Sequence, residues 1–172
     1  MRQMVARILK FMGINSDVAG DGFQALEKLR ENSYDIVIAD IRMPSMDGME
    51  LLKLIRKDYT GTDVLVMTAH SSKYSYVDVV ESGASDFISK PFSVEELKAK
   101  IERIARERSS LNELAKKTTQ LEKAYAEMLA LKDEEGRTCP QIGYEREFLV
   151  QEIDRLREDA KRLAAALHGE KS

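Results

Sequence analysis

Short Val- and Ile-rich runs, separated by helix-length stretches, constrain this chain more than any other feature. Asp35-Ile-Val-Ile-Ala-Asp40 and Val64-Leu-Val-Met-Thr68-Ala69 are too short for helices and too apolar for exposed strands. Such runs between helices indicate a parallel sheet buried on both faces. The pattern predicts helix at about 2–12, strand at about 15–19, helix at 22–31, strand at 35–40 and helix at 48–58. It continues with strand at 63–68, helix at 73–82 and strand at 86–89. Gly13, Gly20-Asp-Gly22, Gly61 and Gly83 punctuate the joints. Strand alternating with helix means an α/β fold with right-handed crossovers.

The grammar changes after Pro91. Residues 94–172 hold 16 Lys/Arg and 17 Asp/Glu, which suits solvated helix faces with ion pairs such as Glu102–Arg106 and Glu113–Lys117. Ser93 with Glu96 three residues on reads as a capping box. Apolar residues then recur at Leu97, Ile101 and Ile104, and on through Leu111, Leu114, Leu121, Tyr125, Met128 and Leu131 without Gly or Pro. A helix over 93–133 would be roughly 60 Å long at about 1.5 Å per residue. Asp133-Glu-Glu-Gly136 and Cys139-Pro140 are expected to break it, with Gly143 beyond them. A second helix would carry Leu149, Ile153, Leu156, Ala160, Leu163 and Leu167 in a heptad seam. From Leu111 the first helix runs at the same spacing, with Thr118 interrupting its seam. The two could form an antiparallel hairpin across a loop of about ten residues, but a hairpin alone buries little, so pairing with a second chain is preferred. The expected domains are 1–105 and a helical extension, 106–172.

Bulk properties exclude several classes. Of 172 residues 43% are hydrophobic and 33% charged, and no window nears 18 uninterrupted apolar residues, which argues against a membrane span. No signal-peptide pattern opens the chain. Cys139 stands alone, which rules out an internal disulfide and fits a reducing cytoplasm. A net charge of −3 leaves no nucleic-acid footprint. Nothing after Pro91 carries a nucleophile constellation, metal spacing or Gly-rich phosphate loop, so no catalytic output is expected.

The candidate chemistry lies at the strand ends. In an open parallel sheet, ligands bind beyond the carboxyl ends of the strands, where Asp40, Thr68 and Lys90 fall. A carboxylate can accept a phosphoryl group as an acyl phosphate. Positive charge must offset the approach of anion to anion, and a hydroxyl and an ammonium can bind the transferred oxygens.

Asp40, Ile41-Arg-Met-Pro44, Met46-Asp-Gly48, Thr68-Ala69 and Lys90-Pro91-Phe92 together resemble the receiver domain of two-component response regulators. The resemblance covers residues 1 to about 105. It implies a flavodoxin-like doubly wound sheet of order 2-1-3-4-5, with Asp40 as phosphoacceptor and Thr68 and Lys90 as its partners. It further implies Mg²⁺ held in part by Asp40 and the Arg42 carbonyl, a cis Lys90–Pro91 bond, and Phe87 as an aromatic switch. A histidine kinase or phosphotransfer protein would be the partner, and the C-terminal helices would pair two copies.

One part of that pattern is missing. Such domains open with a strand ending in an acidic pair, whereas Met1–Gly13 already reads as the following helix. The absent strand belongs inside the sheet, so the strands at 15–19 and 35–40 would face a gap of roughly 9–10 Å. An internal start, a repaired deletion and a degenerate receiver kept for assembly are the three explanations, and the first is preferred. With Asp40 and one carbonyl as donors, phosphate acceptance is expected to be slow or absent, and normal in a version that carries the acidic pair. Asp21 reads as an N-cap rather than a replacement acid. His70, His168 and Cys139 read as ordinary loop or surface residues.

Overall fold

The computed structural model describes residues 1–69, 74–135 and 140–168, with side chains throughout except at 76, 128–135, 140–146 and 163–168. Among the described residues nine elements follow in order: α1 Arg2–Phe11, α2 Gly22–Glu31, β1 Ile36–Asp40, α3 Gly48–Asp58, β2 Asp63–Ala69, α4 Tyr76–Glu81, β3 Asp86–Lys90, α5 Val94–Glu135 and α6 Pro140–His168. They form two compact units, Met1–Ile104 and the chain from Ala105 onward.

In the first unit β1, β2 and β3 make a parallel sheet in that order. Side chains alternate across it, as the period of a strand requires. Val64 and Val66 face Leu29, Met49, Leu52, Ile55 and Val79, from α2, α3 and α4. Leu65, Met67 and Ile88 face Val5, Ile8 and Leu9 of α1 and Leu97, Ile101 and Ile104 of α5. Helices on both faces make the sheet doubly wound. The middle strand is the driest part of the fold, with Val64, Leu65 and Val66 each 0% exposed.

Residues 14–19 form no strand, contrary to the reading of 15–19. In the expected strand order that segment pairs only with the first strand, so without it the backbone has no ladder to join. Its residues from Ile14 to Val18 lie exposed. The segment is tied down by other means. The Ile14 N–H donates to the Leu9 carbonyl at 2.9 Å. Tyr34 donates its hydroxyl proton to Asp17 at 2.6 Å, and Arg2 donates to the Ala19 and Gly20 carbonyls. Among the described residues β1 is an edge strand, and its Ile36, Val37 and Ile38 are only half-buried.

Helix starts follow their caps. Asp21 accepts from the Gln24 N–H at 3.0 Å to open α2. Asp47 and Glu50 form a full capping box on α3. The Ser93 hydroxyl accepts from the Glu96 N–H at 3.1 Å ahead of α5. Ser75 and Asp78 form a box that starts α4 at Tyr76, three residues later than the pattern suggested. His70, Lys73, Gly136 and Cys139 lie outside the described residues.

The second unit pairs the later part of α5 with α6. Four residues separate Glu135 from Pro140, not about ten, because Pro140 opens α6 instead of ending a loop. Proline suits a first helical position, where its missing N–H would have no partner anyway. Gly143 therefore lies inside α6. Arg157 bridges to Glu122 at 2.5 Å, which brings the middle of α6 against α5. So short a link between paired helices makes them antiparallel. Leu111, Leu114, Thr118, Leu121 and Tyr125 form a half-buried stripe on α5; Leu149, Leu156 and Ala160 are half-buried on α6. Among the described side chains of this unit, Ile153 alone is buried, at 6% exposed. Glu113 pairs with Lys117 at 2.9 Å, whereas Glu102 pairs backwards with Lys98 at 3.7 Å. The side chains of Met128, Leu131, Leu163, Leu167 and His168 lie outside the described set.

Candidate functional site

Parallel pairing brings the strand ends into one row. Asp40 stands opposite Met67 across β1 and β2, and Ala69 opposite Lys90 across β2 and β3. Lys90 reaches over the end of β2 and its ammonium pairs directly with the Asp40 carboxylate. Both side chains are three-quarters or more buried, at 25% exposed for Asp40 and 19% for Lys90. The other Asp40 oxygen accepts from the Arg42 N–H at 3.1 Å. Thr68 lies one residue before the end of β2, where its hydroxyl donates to the Ala69 carbonyl at 3.3 Å. The Lys90–Pro91 peptide is cis.

The loop behind Asp40 is tightly drawn. Gly48 donates its N–H to the Ile41 carbonyl at 3.0 Å, and a Cβ on Gly48 would stand 2.3 Å from the Asp40 carbonyl oxygen. Only a glycine lets α3 start so close to the strand end. Ser45 turns the loop with φ 67°, a left-handed conformation.

Phe87 sits apart from this row. It is half-buried against the cluster formed by α2, α3 and α4. The Lys100 ammonium lies 5.1 Å from its ring centre, a cation–π distance. Lys100 also bridges Asp86 at 3.0 Å, and Arg103 bridges it at 2.9 Å. Burial alone would raise the Asp86 carboxyl, but bonds from Arg103, Lys100 and the Phe87 N–H hold it below its ordinary value. The sequence reading missed this cluster, although Lys100 and Arg103 are three apart on one helix face.

Comparison with known proteins decides the family. The profile of the response regulator receiver domain matches residues 1–102. The chain belongs to the response regulator receiver family. It is 43% identical over 90 residues to the transcriptional regulatory protein ZraR of Klebsiella oxytoca, covering 52% of this chain and 20% of that protein. It is 35% identical over 109 residues to the response regulator MprA of a Mycobacterium species, covering 63% of this chain and 47% of that protein. The chain thus spans about half or less of the curated relatives it matches. Among solved structures, the receiver domain of the Francisella response regulator 1452 superposes with TM-score 0.57 at 33% identity, covering 61% of this chain and 87% of that one. CheY4 of Vibrio cholerae superposes with TM-score 0.56 at 33% identity, covering 60% and 88%.

Receivers use Mg²⁺ in phosphorylation, and the donors here can be set against that need. Among the described residues no three acidic, His or Cys side chains converge. Asp40 supplies one carboxylate, already paired with Lys90. A hard divalent ion wants about six oxygens. Asp40 is the strand-end carboxylate that would contribute to such a set, and no step below passes through a metal. No helix among the described residues is long and apolar enough to cross a membrane.

Proposed function

We propose that this receiver takes a phosphoryl group on Asp40 from a histidine kinase or phosphotransfer protein, slowly in the chain as it stands. The observation that carries the reading is the Asp40–Lys90 ion pair at the carboxyl ends of the strands. A carboxylate oxygen of Asp40 attacks phosphorus, the bond to the donor's nitrogen or oxygen breaks, and an acyl phosphate forms. Lys90 then transfers its charge-assisted bond to the new phosphoryl oxygens. Thr68 supports this as a hydroxyl one residue from the strand end, able to exchange the Ala69 carbonyl for a phosphoryl oxygen. Phe87, turning inward or outward, would report the change, and the helical extension would pass it on.

Intact mass after incubation with acetyl phosphate, with and without Mg²⁺, tests this beside Asp40→Asn. Slow gain of one phosphoryl group by the parent alone is expected. No gain would overturn the acceptor role, and rapid Mg²⁺-dependent gain would overturn the predicted impairment.

A second reading, a phosphorylation-independent assembly scaffold, draws on the half-buried seam of α5 and α6. It predicts an oligomer through the second unit whose mass is the same for Asp40→Asn and for the parent, with or without phosphodonor.

A further inference from the structure

Asp47 serves two masters. Its Oδ1 caps α3, accepting from the Met49 and Glu50 N–H groups at 3.0 and 2.9 Å. Its Oδ2 accepts a hydrogen bond from the Tyr74 hydroxyl at 2.9 Å, across 27 residues of chain. Tyr74 immediately precedes Ser75, the N-cap of α4. One carboxylate thus ties the start of α4 to the start of α3.

The ends of that tie differ greatly in rigidity. α3 has eleven residues and buries Met49, Leu51, Leu52 and Ile55. α4 has six, of which Val79 is buried while Val77 is 55% exposed. A short helix with little buried surface opens locally at low cost, so one hydrogen bond is a large fraction of what holds it. Asp47 is in turn coupled to the acceptor. It is the neighbour of Gly48, whose backbone is packed against the Asp40 carbonyl. A shift of the backbone at Asp40 reaches Gly48 by contact and Asp47 through one peptide.

We propose that the Tyr74–Asp47 hydrogen bond is a latch holding α4 docked, and that a change at Asp40 releases it. The latch itself stands on this geometry; only its release rests on the phosphoacceptor reading. Tyr74 is on this account a positioning residue, and α4 is the element with two arrangements, docked and open.

Amide hydrogen exchange on the full chain tests both parts. The Val79 and Ser82 amides, bonded to the Ser75 and Asp78 carbonyls, report α4, and Leu65 in β2 reports the core. Tyr74→Phe removes one oxygen and should speed exchange at Val79 and Ser82 about five- to tenfold, the effect of one net hydrogen bond. Leu65 should be unchanged. Asp47→Ser keeps a cap for α3 but is too short to reach Tyr74, and should give the same acceleration. Unchanged α4 exchange in both variants would overturn the latch, as would equal acceleration at Leu65.

Release is tested with acetyl phosphate. Exchange at Val79 should rise in the phosphorylated parent and not in Asp40→Asn. Labelling without that rise would overturn release. If Asp40 is never labelled, the phosphoacceptor reading falls with release, while Tyr74→Phe still decides the latch.

Discussion

Ser45 holds a left-handed backbone, φ 67°, which costs a side-chain-bearing residue roughly 1–2 kcal/mol. Glycine adopts it freely but loses more freedom on folding, by roughly 0.5–1 kcal/mol. Ser45→Gly should therefore stabilise the receiver by about 0.5 kcal/mol, read as a higher urea midpoint at unchanged slope. Three residues on, the balance reverses. Gly48→Ala would set a Cβ 2.3 Å from the Asp40 carbonyl oxygen, and backbone must move. A loss of about 2–3 kcal/mol is expected in the same urea titration, as for overpacked core sites. Asp86 adds a pH dependence. Its carboxyl is held low in the folded state, so its contribution is present above the unfolded value, about 3.9, and disappears as pH falls through the lower folded one. The stability gap between parent and Asp86→Asn should be flat from pH 7 to 5 and close below about pH 4. Caps such as Asp21 and Ser93 were legible because donor and acceptor lie three residues apart. Tyr74–Asp47 and Lys100–Phe87 were not, because folding alone brings those partners together.

At the scale of elements, the strands that failed and held share one cause. Residues 15–19 read Asn-Ser-Asp-Val-Ala, a weak strand former with Val18 alone favouring β, and none of the described residues supplies a neighbouring strand to hold it. β2 has partners on both sides, and its Val64-Leu-Val-Met run was readable from sequence alone. The Asp40, Thr68 and Lys90 row was readable for the same reason, since parallel strands must end on the same side. The turn into α6 was misread because Pro140 is ambiguous by itself: it ends one helix or begins the next. The seam between those helices rests chiefly on Ile153. The Glu122–Arg157 bridge is about half exposed, so its net worth is at most about 1 kcal/mol. Ile153→Asp should therefore unfold the second unit selectively. Circular dichroism would show lost helix while exchange protection in β2 persists; loss of both together would mean that the units do not fold separately.

Assembly is the question that belongs to the whole molecule. Two antiparallel helices bury one stripe each, and here those stripes stay half-wet along Leu111, Leu114, Leu121 and Tyr125. Isolated helices gain most of their stability from a covered apolar face, so a partially covered seam favours a second copy. Residues 94–172 carry 16 positive and 17 negative side chains, and such mixed faces oppose each other with little net repulsion. A dimer through the second unit is the expected state, dissociating on dilution. Leu156→Asp with Leu163→Asp puts two charges one heptad apart on the seam, and a buried unpaired charge costs several kcal/mol. Light scattering should then give the monomer mass at concentrations where the parent is dimeric. Sedimentation of the parent before and after phosphodonor separates the two functional readings. A dissociation constant that moves, and stays put in Asp40→Asn, makes assembly the output of the receiver. A constant that ignores Asp40 makes the helical unit a scaffold that the receiver merely accompanies.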